Sequence, residues 1–187
     1  WPGTPRVGDL DGRAVHTDFP SRGEFSCSNG MLNAVQECAR RSTLYNFPGF
    51  PTDCPHREKN GWMGDAHLSA EQALLNFDMY TAYRKWMRDF RDVQRLSGQL
   101  PCIVPTGGWG FTFGSGPAWD SAALLIPWYQ YVYRGDLRIL AEHYDCMRRY
   151  VEFLATMADR GIVDFGLGDW CPPEWRPSVE WRPTYRC

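Results

Sequence analysis

Residues 65–93 read DAHLSAEQALLNFDMYTAYRKWMRDFRDV, and this stretch decides the fold. Ala66, Ala70, Ala73, Leu74 and Phe77 recur at helical spacing along one face. After Asp78, a second stripe follows the same i, i+3, i+4 rule through Tyr80, Tyr83, Trp86, Met87, Phe90 and Val93. Asp65 and Asp78 stand where N-caps are needed, and the second helix is expected to end near Gly98. The turn between them, Asn76 to Asp78, is so short that the two helices are predicted to be antiparallel neighbours. The Tyr80 to Phe90 stripe reads as core packing.

Helical patterning continues on both sides. Upstream, Met31, Leu32, Val35, Cys38 and Ala39 predict a helix from Ser28 to about Leu44, capped by Ser28 or Asn29 and stopped before Pro48. Downstream, helices are expected over 119–133, kinked at Pro127, and over 136–158, with Gly161 as the stop. Two long irregular segments, 47–64 and 99–117, interrupt the series. Loops of such length inside a domain are usually functional. Val15, Phe19 and Phe25 fit strands in an extended lead-in, while 162–187 shows no regular period. The fold class is therefore all-α, with helices joined alternately by short turns and long loops. The end where the long loops meet is the natural place for a site.

The composition bounds the function. A chain of 187 residues suits one domain, and a net charge of −2 with 22% charged residues gives no basic face for nucleic acid. The uncharged apolar run Ala122–Tyr129 is far too short to cross a bilayer. Aromatic residues make up 15%, which argues against disorder and for a surface that stacks flat apolar faces. Seven scattered cysteines (27, 38, 54, 102, 146, 171, 187) with no C-x-x-C pair read as reduced, mostly buried thiols. They favour a cytoplasmic compartment, with periplasmic or secreted as the alternatives. His16, His56, His67 and His143 lack metal-ligand spacing, so neither a metal nor a cofactor is expected. With Trp at position 1 and irregular sequence at the far end, the chain is expected to be a piece of a longer protein.

Chemistry concentrates in the first long loop, Phe50-Pro51-Thr52-Asp53-Cys54-Pro55-His56-Arg57-Glu58-Lys59-Asn60-Gly61-Trp62-Met63-Gly64-Asp65. Asp53, Glu58 and Asp65 fall within thirteen residues, beside Arg57, His56 and Trp62. Cleaving a glycosidic bond needs a protonated carboxylic acid at the leaving oxygen and a second carboxylate on the other face of the sugar. Neighbouring negative charge raises a carboxyl pKa and a nearby arginine lowers it, so the protonation state of Glu58 is open at this level. Asp65 also has the plain reading of a helix cap. Gly107-Gly108-Trp109-Gly110-Phe111 lacks the G-K-[ST] ending of a phosphate loop and reads as a flexible rim. His67 and His143 fall on helices and read as packing or surface residues, and Arg84, Arg88, Arg148 and Arg149 as solvated helix-face charges.

The motif Pro51-Thr52-Asp53-Cys54-Pro55-x-Arg57-Glu58-x-x-Gly61-Trp62-x-Gly64-Asp65 closely resembles the signature of bacterial α-L-rhamnosidases of glycoside hydrolase family 78. Three further segments resemble that family in order and approximate spacing: Val15-His16-Thr17-Asp18, Pro117-Ala118-Trp119-Asp120-Ser121-Ala122 and Gly166-Leu167-Gly168-Asp169-Trp170. The likeness spans about residues 13–172. It implies the N-terminal part of an (α/α)6 barrel, residues 28–187, preceded over 1–27 by the tail of a β-rich domain. It implies hydrolysis of terminal α-L-rhamnosides with inversion, on rhamnose-containing glycosides or polysaccharides. Glu58 would be the general acid. Asp53, Arg57, Asp65 and Asp169 would bind the sugar, and Trp62, Trp119 and Trp170 would shape the pocket around its C6 methyl side.

The sequence departs from the family pattern in places. Arg57-Glu58-Lys59 is one residue shorter than the Arg-Asp-Glu-Arg of many members, which leaves Glu58 as the sole carboxylate between Asp53 and Asp65. Asp120 follows Trp119 without the usual glycine and reads as a cap for the next helix. The family's general base falls beyond Cys187, so residues 1–187 alone are expected to be inactive. The rival readings are another (α/α)6 glycosidase, a polysaccharide lyase, or a non-catalytic carbohydrate-binding module.

Overall fold

A computed structural model describes residues 2–4, 8, 10–112 and 115–167. Six helices follow one another: α1 (Gly30–Tyr45), α2 (Met63–Asn76), α3 (Tyr80–Val93), α4 (Pro117–Asp120), α5 (Ala122–Arg134) and α6 (Leu137–Met157). Among the described residues the only β features are isolated bridges, Ser21 with Phe77, Trp62 with Ile103 and Asp159 with Ile162. Val15, Phe19 and Phe25 stand outside any named strand, in a lead-in anchored by Phe19, which packs edge-on against Phe47 at 5.0 Å.

The helices start where local chemistry allows. Asn29 caps α1, its side chain accepting from Met31 N–H, and Asp136 caps α6 by accepting from Arg138 N–H. Two expected caps are displaced. Helix α2 begins at Met63 after an uncapped Trp62, so Asp65 lies in its first turn, where a negative charge still complements the helix dipole. Asp78 stands one residue before the Met79 N-cap of α3, where its Oδ1 accepts from Tyr80 N–H (3.4 Å), and it also pairs with Arg134 (2.6 Å) and Arg22 (3.8 Å). The expected helix over 119–133 divides at Ser121 into α4 and α5, and Pro127 lies inside α5.

The core forms between α2, α3, α5 and α6. Helix α2 packs chiefly against α5 and α4, and α3 lies against both α5 and α6. The antiparallel-neighbour rule thus describes α5 and α6, joined by Gly135-Asp136, better than α2 and α3. Ala66, Ala70 and Ala73 line the buried face of α2 and meet the small Ala122 and Ala123 of α5, so these backbones can approach closely. Tyr83, Trp86, Met87 and Phe90 are buried as their spacing predicts, with Trp86 and Phe90 edge to face at 4.6 Å.

Helix α1 behaves differently from its apolar pattern. Met31, Leu32 and Val35 are more than half exposed, and α1 buries no residue. Polar contacts fasten it: Arg40 donates to Gly23 O (3.1 Å) and to Asn76 Oδ1 (3.2 Å), and Gln36 donates to Asn76 Oδ1 (2.5 Å). The expectation of mostly buried thiols fails for the same reason: Cys27 and Cys38 are exposed, Cys54 is half-buried, and Cys102 and Cys146 are buried. Arg84 is not a solvated charge but pairs with Glu142 across the α3–α6 interface.

His143 of α6 is buried with no hydrogen-bond partner for Nε2 among the described residues. Burial, then Arg91, push its pKa down to about 4, with Arg88 and Arg84 acting the same way and Glu142 opposing them. The unfolded chain takes up this proton near pH 6.5 and the folded chain only near 4. The unfolded state therefore binds more protons between those values, and stability falls as pH falls through that window. His143→Gln is expected to lose less stability than the parent between pH 6.5 and 4, by on the order of 3 kcal/mol, in urea unfolding curves at each pH. Parallel losses in the two proteins would contradict a neutral buried imidazole.

Candidate active site

The loop between α1 and α2 is closed by its own polar groups. Thr52 N–H donates to Asn46 O (2.8 Å), Asp53 N–H to Asn60 O (3.0 Å), and Asn60 N–H to Asp53 Oδ1 (2.9 Å). Inside this closure the Cys54 thiol donates to Asp53 Oδ2 (3.1 Å), and Glu58 N–H donates to Cys54 Sγ (3.1 Å). Lys59 adopts φ +57°, a left-handed conformation that turns the chain back after Glu58. The Glu58 side chain then meets Trp62, whose indole N–H donates to Oε2 at 2.9 Å.

The second long loop lies against the first. Met63 N–H donates to Cys102 O and Val104 N–H to Gly61 O, both at 2.9 Å, around the Trp62–Ile103 bridge. The buried Trp86 indole holds the Val104 carbonyl from below at 2.8 Å. This pairing carries three indoles together: Trp62 is edge-on to Trp109 at 5.9 Å and to Trp119 at 6.5 Å. Trp119 fits only because residue 64 is glycine, since a Cβ there would stand 2.8 Å from the Trp119 ring. His67 of α2 fixes the same helix turn through a contact between Nε2 and Ala118 O (2.9 Å).

Asp65 lies next to this group. Its carboxyl is held above the usual carboxylate range, first by burial and then by the negative charges of Asp53 and Glu58, with its own backbone N–H and His67 opposing. That mutual influence puts all three carboxyls in one electrostatic cluster. Arg57 is exposed, and no hydrogen bond or ion pair engages it among the described residues.

The structure thus brings together Asp53, Glu58, Trp62, Asp65 and Trp119, with Arg57 on the rim. Asp169 and Trp170 lie outside the described residues. Within the described residues, Gly166 packs so tightly on Gly116 that a Cβ on Gly116 would stand 2.7 Å from Gly166 Cα. Asp120 departs from its expected role as a cap for the following helix. It is fully buried at the end of α4 and folds back, Oδ2 accepting from Gly116 N–H (2.7 Å) and Ser115 Oγ (3.0 Å). The Tyr150 hydroxyl faces the same carboxyl from α6, outside hydrogen-bond geometry. Burial pushes the Asp120 pKa well above the ordinary range, although Gly116, Ser115 and Tyr150 pull it down.

Trp109 was missed by sequence reasoning, which took its glycine-rich stretch for a plain rim. The usable signal was a large, flat side chain in a segment otherwise built of small ones. Cys54 lies within the motif, where the sequence alone suggests no role for it. Among the described residues no cluster of three His, Cys, Asp or Glu side chains is arranged to hold a metal ion. Gly64→Ala is expected to force Trp119 off Trp62, with loss of the coupled-indole signal in near-UV circular dichroism and an unchanged far-UV spectrum. An unaltered near-UV spectrum would contradict this packing.

Comparisons with known proteins bear on the fold and the family. Residues 20–184 match the model of the bacterial alpha-L-rhamnosidase 6 hairpin glycosidase domain. An alpha-L-rhamnosidase of Formosa agariphila is 38% identical over 171 residues, covering 86% of this chain and 18% of that protein. The solved alpha-L-rhamnosidase from Dictyoglumus thermophilum superposes with a TM-score of 0.85 at 45% identity, over 95% of this chain and 20% of that one. An alpha-L-rhamnosidase of Streptomyces avermitilis, solved in complex with L-rhamnose, gives 0.77 at 30% identity, over 85% of this chain and 15% of that one. The chain spans about a fifth of the length of these relatives. The all-α expectation holds, and the helices are those of an (α/α)6 fold: this chain belongs to the bacterial alpha-L-rhamnosidase six-hairpin glycosidase family.

Proposed function

We propose that this chain supplies the acid half of an inverting α-L-rhamnosidase site that cleaves terminal α-L-rhamnosides. The observation that carries the reading is the Glu58 carboxyl, hydrogen-bonded to the Trp62 indole and clustered with Asp53 and Asp65 beside a three-indole wall. Glu58 is the general acid. With Oε2 accepting the indole N–H, Oε1 is left to carry the proton to the glycosidic oxygen as the bond from that oxygen to C1 breaks. A water attacks C1 from the opposite face and loses its proton to a second carboxylate, giving the free alcohol and the β-L sugar.

Asp53, Asp65 and Asp169 receive the sugar hydroxyls, and Arg57 donates to them. Trp62, Trp119 and Trp170 cover the apolar face that ends in the C6 methyl. By the family resemblance the general base comes from sequence following residue 187, and an inverting pair must stand about 6.5–9.5 Å apart across the sugar. Rhamnose-containing glycosides or polysaccharides are the substrates. A close likeness to a protein that binds L-rhamnose supports the choice of sugar over a lyase substrate.

In the full-length protein, Glu58→Gln is expected to lower kcat on an alkyl rhamnoside by at least about a hundredfold. The loss on 4-nitrophenyl rhamnoside is expected to be much smaller, because a good leaving group needs little protonation. Equal losses on both substrates would overturn the assignment. If Asp65→Asn gives the unequal losses instead, the acid is Asp65, whose carboxyl is already raised.

A further inference from the structure

The acid loop lacks regular structure over residues 51–61 apart from hydrogen-bonded turns, yet it must hold two carboxylates in fixed relation. Asp53 is held on one side only by the loop closure, through Oδ1 and the Asn60 N–H. Its other oxygen, Oδ2, meets the Cys54 thiol at 3.1 Å. The same sulfur accepts the Glu58 N–H at 3.1 Å. One side chain thus joins the Asp53 carboxylate to the backbone of Glu58, and the indole of Trp62 holds the far end of the Glu58 side chain. Glu58 itself is exposed and is followed by a left-handed Lys59, so nothing else described restrains its backbone N–H.

We infer that Cys54 is a positioning residue for the acid: its thiol, bonded to Asp53 and to the Glu58 backbone, sets where the Glu58 carboxyl stands relative to the sugar. This rests on the acid assignment proposed above. The role suits sulfur for two reasons. A thiol donates through its hydrogen and accepts through its lone pairs at once. Its longer bond to Cβ and larger radius span a gap that a hydroxyl reaches less well. The thiol forms no bond with substrate and needs no change of oxidation state.

The test compares Cys54→Ala, Cys54→Ser and Glu58→Gln in the full-length protein, on an alkyl rhamnoside and on 4-nitrophenyl rhamnoside, with thermal unfolding recorded for each. Cys54→Ala is expected to lower kcat on the alkyl substrate by about fivefold to tenfold, the worth of one or two ordinary hydrogen bonds. The nitrophenyl substrate should lose less than about twofold, with KM little changed on either. Cys54→Ser, which keeps a donor and an acceptor but with a shorter reach, should restore part of the loss. A purely space-filling cysteine would lower the unfolding temperature and leave the ratio of the two rates at its parental value. That result, with Glu58→Gln still selective for the alkyl substrate, overturns the role of Cys54 and leaves the acid in place. If Glu58→Gln shows no selectivity either, the acid assignment falls and this inference falls with it.

Discussion

Two backbone hydrogen bonds between loops govern the rest of the architecture. Met63 N–H to Cys102 O and Val104 N–H to Gly61 O stitch the segment before α2 to the segment after α3. Neither loop has a strand to rest on, so each supplies the partner for the other's buried polar backbone, as an interior segment requires. The Trp86 indole extends this stitch into the core by taking up the Val104 carbonyl. Through it, the hydrophobic packing of α3 is transmitted to Trp62, and through Trp62 to Glu58. The site is therefore set by the core, although its residues stand on loops.

The electrostatics follow from that placement. Burial first, and then the negative charges of Asp53 and Glu58, raise the pKa of Asp65 in the first turn of α2. The N-terminus of α2 offsets part of the repulsion, since its free N–H groups favour negative charge in the first turn. A neutral sugar offers hydroxyl donors to such a cluster without adding charge. A phosphate or carboxylate ligand would be repelled.

Much of this was legible in the sequence. The periodicity of Ala66 to Phe77 and Tyr80 to Val93 marked two helices, because helical burial repeats every three or four residues and leaves a pattern. The loop motif marked the candidate site, because Asp53 and Glu58 stand on irregular backbone, where neither is explained as part of a solvated helix face. The pairing of the two loops was not legible. It rests on backbone groups of Gly61, Met63, Cys102 and Val104, which every residue but proline carries, so no side-chain pattern announces it. The fate of Asp120 was hidden for a related reason: whether a carboxylate after a tryptophan caps a helix or turns inward depends on what packs above it, here Tyr150 from thirty residues on. Helix α1 misled in the opposite direction, since its apolar spacing is helical but its face is left uncovered among the described residues.

The lead-in deserves a mechanical reading. Thr17 N–H bonds to Phe47 O, Arg22 and Gly23 N–H to Asn76 O, and Asp78 N–H to Pro20 O, with Phe19 packed between. A segment fastened at four points over seven residues is a strut and not a tether. Chain arriving at Thr17 meets its first attachment at Phe47, at the root of the loop between α1 and α2. The strut thus ties the chain at Thr17 to Phe47, which opens the loop that carries Asp53 and Glu58.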